Sequence, residues 1–278
     1  MEPSRSRQSG GSLRDVLAGA DCPPARPAGP ATVEYEFLEH GQGTPLVLLH
    51  GMMGWPDNWK GIFPHLPPDC RALALRLPFF EDGIRLDSVP AITDFAQGFL
   101  DGQGIERAVL CGNSLGGHVA LVLAMRHPGR VAGIVLTGSS GLFERGFAAT
   151  QGSRPSRQWV QERIREIFHD PALATDELVD EVCRLIAVRR NARDIVRIAK
   201  SAKRDNLADR LASIACPALL IWGRQDAITP PHVAEEFRLR LPGAELAWLD
   251  RCGHAAMMER PREFAQALGA WWRGHVGR

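Results

Sequence analysis

Residues 107–130 read RAVLCGNSLGGHVALVLAMRHPGR, and the architecture of the chain can be worked outward from them. Ala108 to Cys111 is an unbroken apolar run, the mark of a strand covered on both faces, as in a parallel sheet. The stretch from Leu115 has the character of an amphipathic helix and is halted by His127-Pro128-Gly129. Between them, Gly112-Asn113-Ser114-Leu115-Gly116 permits a tight strand-to-helix turn, because glycine lacks the Cβ that clashes where two backbones come close.

The same unit recurs on either side. VEYEFLEHG (33–41) alternates as a half-buried strand, a GQG turn follows, and LVLLHG (46–51) is again a continuous apolar run. CRALALRLP (70–78) reads as a strand, AITDFAQGFLDGQG (91–104) as a helix ending in glycines, and VAGIVLTGSSG (131–141) as the strand after the central helix. From about Leu142 to Leu211 the pattern changes to charged segments of helical period (WVQERIREIF, ATDELVDEVCRLIAVRR, RDIVRIAKSAKRDNLADRL). Strand logic then resumes with CPALLIWG (216–223) and AELAWLD (244–250), each followed by a helix, PHVAEEFRLRL and PREFAQALGAWWR. Short apolar strands alternating with helices predict an α/β fold, a mostly parallel sheet flanked by helices, with a helical cap inserted. The expected division is a flexible N-terminal arm over residues 1–31, a core over 32–139 and 213–278, and a mobile or semi-mobile cap over 140–212. The arm is assigned because its Pro, Gly, Ser and Arg content, closing in CPPARPAGPA, buries too little apolar surface to offset ordering entropy. No internal repeat is visible.

Composition narrows the classes of function. The chain has 278 residues, 45% hydrophobic and 23% charged, enough for a full core. Lys+Arg total 33 against Asp+Glu 32, so no net field favours phosphate backbones or an anionic membrane, and neither nucleic acid nor membrane is expected as a partner. Among the basic residues only Lys60, Lys200 and Lys203 are lysines, a skew attributed to codon bias. The six cysteines (Cys22, Cys70, Cys111, Cys183, Cys216, Cys252) lack metal-ligand spacing and fit a reducing cytoplasm. The opening MEPSRSRQSGG has no signal-peptide core, and no stretch approaches the roughly 20 apolar residues of a membrane span. A cytoplasmic protein, monomer or homodimer, is expected.

The chemistry begins at Ser114. A serine on a tight turn between a buried strand and a helix presents its hydroxyl at the sheet edge, with the helix N-terminal N–H groups beside it; the plainer role would be a helix N-cap. A serine hydroxyl needs an imidazole as base and a carboxylate to fix that imidazole's tautomer. His254, in LDRCGHAAMMERP, follows a strand directly and so stands at the same carboxyl edge. His127 reads as a helix terminus, His65 and His169 as surface residues, and His118 as buried behind the turn. The acid is Asp226, in LLIWGRQDAITP, just past another strand; its rival is Glu144, past the preceding strand, and its plainer role is a loop aspartate before Thr-Pro. His50-Gly51-Met52-Met53-Gly54 follows the strand LVLL. The oxyanion donors are then the backbone N–H groups of Met52 and Leu115, with His50 a structural residue tying loops together.

The ordered set His50-Gly51, Gly112-x-Ser114-x-Gly116, Asp226 and His254 resembles the α/β-hydrolase superfamily over roughly Val33 to the C-terminus, and the helical insertion falls where that family usually carries its cap. The resemblance implies a serine hydrolase with Ser114, His254 and Asp226 as its triad and with no metal or organic cofactor. Serine at the turn argues against the dehalogenase and epoxide hydrolase branches, which carry aspartate there. Asn113-Ser114-Leu115-Gly116-Gly117 resembles the meta-cleavage-product hydrolases, which cut carbon–carbon bonds. Those enzymes commonly have tryptophan after the catalytic histidine, where this chain has Ala255, and a cap arginine, for which Arg189 and Arg190 are both candidates. RLPFFEDG (76–83) departs from the Asp-x-Pro-Gly-x-Gly loop of many relatives at Arg76 and Phe79. The expectation is therefore a carboxylic ester hydrolase acting on small to medium apolar esters. Carbon–carbon hydrolysis is the alternative, and a slow-turnover ligand receptor on the same scaffold the third reading. Met52, Met53, Trp55 and Trp59 could line an acyl pocket or be packing, as could Met257 and Met258; Cys111 reads as an inert strand residue. The Arg/Lys series between Arg184 and Arg210 reads as a solvated face.

Overall fold

The computed structural model describes residues 34–144 and 155–276; the arm over 1–31, Cys22 and residues 145–154 of the insertion lie outside them. The strands are β1 (Phe37–Gly41), β2 (Thr44–Leu49), β3 (Cys70–Leu75), β4 (Ala108–Asn113), β5 (Val131–Thr137), β6 (Ala218–Gly223) and β7 (Glu245–Leu249). They form one seven-stranded sheet in the order β1-β3-β2-β4-β5-β6-β7. Only β1 runs antiparallel, to β3; every other pairing is parallel. The α/β fold predicted from the strand–helix alternation is the fold observed.

The helices are α1 (Val89–Gly102), α2 (Leu115–Arg126), α3 (Arg157–Arg165), α4 (Asp176–Ala187), α5 (Arg189–Arg204), α6 (Pro231–Arg240), α7 (Ala256–Glu259) and α8 (Pro261–His275), with a 3-10 segment at Pro56–His65. Successive strand residues point to opposite faces, and the sheet accordingly divides the core in two. Val47, Leu49, Leu110, Ile134, Leu136 and Trp222 belong to one apolar cluster, with α1, α2 and α6. Leu46, Leu48, Val109, Cys111, Val135 and Ile221 belong to the other, with α7 and α8. Continuous apolar strands are what this two-sided burial requires, and all six residues of β4 are buried.

Helices α3, α4 and α5 lie between β5 and β6 in the chain and divide between the clusters. Ile198 and Ala202 of α5 join the first. Val160 and Ile164 of α3 and Val179 and Val182 of α4 join the second. Two of these helices have their first free N–H groups capped, by Ser156 before α3 and Thr175 before α4. Helix α5 also reaches into the core: the Ser201 hydroxyl accepts the Val89 N–H at 3.0 Å, serving as a cap for α1 from another part of the chain.

Candidate active site

Ser114 stands between β4 and α2 with φ 54° and ψ −118°, a left-handed conformation that is strained by about 1–3 kcal/mol for a residue with a side chain. Four backbone hydrogen bonds hold it there. Its N–H donates to the Thr137 carbonyl at 3.1 Å, and its own carbonyl accepts from Gly117, His118 and Ser140 at 3.0, 3.2 and 3.1 Å. The flanking glycines are needed for close approach. A Cβ at Gly112 would lie 2.3 Å from the Gly116 carbonyl, and one at Gly116 would lie 2.1 Å from the Leu49 carbonyl oxygen.

The loop after β2 lies against this turn: a Cβ at Gly51 would be 3.3 Å from the Ser114 Cβ. Among the described residues neither the Met52 nor the Leu115 N–H donates a hydrogen bond. His50 fastens the loop. Its Nδ1–H donates to the Gly51 carbonyl at 2.8 Å and its Nε2 accepts the Leu77 N–H at 3.0 Å, a pair of contacts that defines one neutral tautomer. Complete burial, with Arg76 nearby, lowers its pKa to about 4 against the pull of the Gly51 bond. The unusual RLPFFEDG segment serves this anchor: Leu77 supplies the N–H, Phe79 packs edge-on against the ring, and the Arg76 guanidinium pairs with Glu36 and Glu81 over the Trp55 ring.

Asp226 and His254 emerge from the loops after β6 and β7, and the His254 Nδ1–H donates to Asp226 Oδ2 at 2.9 Å. Both residues are buried. The same Oδ2 accepts the Thr229 hydroxyl at 2.9 Å, while Oδ1 accepts the N–H groups of Ile228 and Thr229, both at 2.8 Å. The turn aspartate and the imidazole partner, alternatives in the sequence, are therefore one residue using its two oxygens separately. Trp222 Nε1 donates to the Thr229 carbonyl at 2.9 Å and fixes the turn in place. The His254 carbonyl accepts from Asn113 Nδ2 at 3.1 Å, as does the Thr137 carbonyl, so the residue preceding Ser114 ties the histidine's backbone to the turn. Among the described residues no hydrogen bond joins the Ser114 hydroxyl to the imidazole.

The other sequence candidates divide cleanly. Glu144 turns to the loop after β5, where Oε1 accepts the Gly141 N–H at 2.9 Å and burial raises its carboxyl pKa. His118 is buried, with Nε2 3.4 Å from Asp205 Oδ2; contact with His118, and with Arg210 beside it, holds the Asp205 carboxyl at about 2. Arg190 pairs with Asp82 and lies 3.6 Å from Asp194, so it fastens α5 to the loop after β3. Trp59 is fully buried against Phe264 and Met257 is buried, so both are packing. Met258 Sδ accepts from Asn58 Nδ2 at 3.3 Å. Burial drives the Cys111 thiol pKa far upward, which makes it inert. Residues that the sequence does not single out are Asn113 as a side chain, Thr229, and Gly138, where a Cβ would lie 2.6 Å from His254 Nδ1. For Thr229 a local signal exists, an oxygen-bearing side chain three residues after a turn aspartate; for the other two the signal is tertiary. Among the described residues no cluster of three or more His, Cys, Asp or Glu could hold a metal, and no helix is long and apolar enough to cross a membrane.

The model of the alpha/beta hydrolase family matches residues 46–267, from within β2 to the middle of α8. The chain belongs to the alpha/beta hydrolase family. This hydrolase is 33% identical to 2-hydroxymuconate semialdehyde hydrolase of a Pseudomonas species over 86% of its own chain and 90% of that protein. It is 34% identical to the pimeloyl-[acyl-carrier protein] methyl ester esterase of Aromatoleum aromaticum, over 82% of this chain and 98% of that one. A crystal structure of an alpha/beta hydrolase enzyme from the sediment metagenome of the Mar Chica lagoon superposes with a TM-score of 0.72 at 37% identity, covering 87% of this chain and 96% of that one. The hydrolase is also 31% identical to the dihydrolipoyllysine-residue acetyltransferase component of the acetoin cleaving system of Pseudomonas putida, over 84% of this chain but only 64% of that protein's length.

Proposed function

We propose that this hydrolase cleaves small to medium apolar carboxylic esters through an acyl-enzyme on Ser114. The observation that carries the reading is the buried His254–Asp226 pair at 2.9 Å, tied through Asn113 to the strand that leads into Ser114. In this reading Ser114 Oγ attacks the ester carbonyl carbon while His254 Nε2 takes its proton, and Asp226 stabilises the imidazolium and holds its tautomer. The carbonyl oxygen becomes an oxyanion held by the Met52 and Leu115 N–H groups. Collapse expels the alcohol, which receives the proton from His254. Water, deprotonated by His254, then attacks the acyl carbon and releases the acid, restoring Ser114. Helices α3–α5 are the cap, within residues 140–212, between the core segments 32–139 and 213–278.

Ala255 next to the histidine, with a small side chain, and Met52 and Met53 on the facing loop support an apolar acyl group, and the similarity to a methyl ester esterase supports the ester bond. A second reading, carbon–carbon hydrolysis, is favoured by Asn113-Ser114-Leu115-Gly116-Gly117 and by the similarity to 2-hydroxymuconate semialdehyde hydrolase. The test is turnover of a chain-length series of p-nitrophenyl esters beside a 2-hydroxy-6-oxo-dienoate, with Ser114→Ala as control. Ester turnover that disappears in Ser114→Ala is the expected result. Fast dienoate cleavage beside weak ester turnover would move the assignment to the carbon–carbon bond, and no turnover of either would favour a ligand receptor.

A further inference from the structure

The loop that carries His254 is fastened from two sides by consecutive residues. Arg260 Nε and Nη2 both donate to the Arg251 carbonyl, at 3.1 and 2.9 Å, closing the loop on itself. Glu259 reaches the other way, with one carboxylate oxygen on each of two separate segments. Oε2 accepts the Gly253 N–H and Oε1 accepts the Asp170 N–H, both at 2.6 Å. Gly253 is the residue before His254, and Asp170 lies in the turn after α3, inside the helical insertion.

The same two segments touch directly. The His254 N–H donates to the Ile167 carbonyl at 2.7 Å. A Cβ at Gly253 would lie 2.5 Å from that carbonyl oxygen and 2.8 Å from the His169 nitrogen. No side chain fits between them, so the contact is backbone on backbone and transmits displacement without slack. Asp226 grips the imidazole end of His254; the turn after α3 grips its backbone.

We infer that Glu259 is a positioning residue that couples the helical insertion to His254. This rests on the reading of His254 as the base. A substrate that shifts α3 as it enters shifts the imidazole with it, and the carboxylate keeps the two segments in register. Both acceptors are required: a glutamine presents one oxygen and one NH2 group, so it can accept from only one of the two N–H donors.

The test compares full-length wild type, Glu259→Gln and Ser114→Ala by amide hydrogen exchange and by kinetics on p-nitrophenyl acetate and butyrate. Active sites are counted by titration with diethyl p-nitrophenyl phosphate. Glu259→Gln is expected to speed exchange about tenfold in 166–171 and 251–255 together, while β4 stays at its wild-type rate. Turnover per titrated site is expected to fall about tenfold, with KM within about twofold. Faster exchange in only one segment, or in neither, overturns the coupling. A loss of titratable sites with unchanged turnover per site overturns it too, because it reduces Glu259 to a structural role. If Ser114→Ala keeps wild-type turnover, the serine hydrolase reading fails by itself, and the exchange data alone then decide whether Glu259 joins the two segments.

Discussion

The two halves of the candidate site are held in place by different forces. Around Ser114 the backbone is hydrogen-bonded and the restraint on side chains is steric: β2, β4 and α2 meet so closely that Gly112 and Gly116 have backbone where a side chain would be. Around His254 and Asp226 the restraint is polar: the aspartate carboxylate accepts four hydrogen bonds, and the histidine is held by ring, N–H and carbonyl. Packing resists any added volume but tolerates changes of polarity outside it, whereas a hydrogen-bonded pair tolerates little change in donor and acceptor pattern. Substitutions of the residues packed around Ser114, the serine itself apart, should therefore register mainly in stability, and those in the second half mainly in turnover.

The largest effect should come from Asp226→Asn. Its Oδ1 can still accept from Ile228 and Thr229, so the turn survives, but an NH2 group then faces the His254 Nδ1–H. The imidazole must turn or change tautomer, and Nε2 can no longer act as the base of the proposed mechanism. Turnover of a p-nitrophenyl ester should fall about 10³- to 10⁴-fold, with the thermal midpoint close to wild type. Glu144→Gln changes a carboxyl that faces the loop after β5 and His118, away from His254, and should stay within about threefold of wild type. Near-normal activity in Asp226→Asn would remove the aspartate from the mechanism, and a steep loss in Glu144→Gln would reassign it.

Gly116→Ala tests the steric half. Its Cβ would sit 2.1 Å from the Leu49 carbonyl oxygen, a backbone atom of a central strand that cannot turn aside. The expected destabilisation is about 3 kcal/mol, or on the order of 10 °C in thermal midpoint for a chain of this size. Protein that remains folded should keep most of its turnover per titrated site. A wild-type midpoint with turnover lost would mean that the turn is held by something other than close packing.

The difference between the halves also explains how much could be read from the amino-acid sequence. A buried strand, a glycine-flanked serine and a helix lie within twenty consecutive residues, so the Ser114 turn is a local feature with a local signature. Asp226 and His254 were placed by their position after β6 and β7, which requires only that strands be recognised. Beyond the turn in which Ile228 and Thr229 hold Asp226, what fixes them is not local. Asn113 reaches a carbonyl 141 residues away, Gly138 makes room for an imidazole from the loop after β7, and Glu259 accepts from an N–H 89 residues away. The insertion shows the same limit. Its helical period is plain, but nothing in that period says that α5 packs with one core cluster and α3 and α4 with the other. Nor does it say that Arg190, and not Arg189, pairs with Asp82. The direction of the edge strand was equally hidden in a sheet otherwise parallel as predicted: the alternating β1 is antiparallel to β3, an edge pairing that its half-exposed pattern permits without demanding.

The smallest effect, and the one that sharpens the comparison most, concerns the polar anchor in the sterically held half. His50 is kept neutral by burial, its pKa lowered to about 4 from an ordinary value of 6.5. Below 6.5 the unfolded chain binds a proton at this position that the folded chain refuses until about pH 4. The stabilising contribution of neutral His50 is therefore complete above pH 6.5 and is lost progressively as pH falls toward 4, with a slope of up to about 1.4 kcal/mol per pH unit from this group. His50→Gln can still accept the Leu77 N–H, but it does not titrate. Urea midpoints measured from pH 7 to pH 4.5 should fall more steeply for wild type than for His50→Gln, the two curves converging as the pH drops. Parallel curves would mean that His50 takes up its proton as readily in the folded protein as in the unfolded chain, and that its burial adds nothing to the pH dependence of stability.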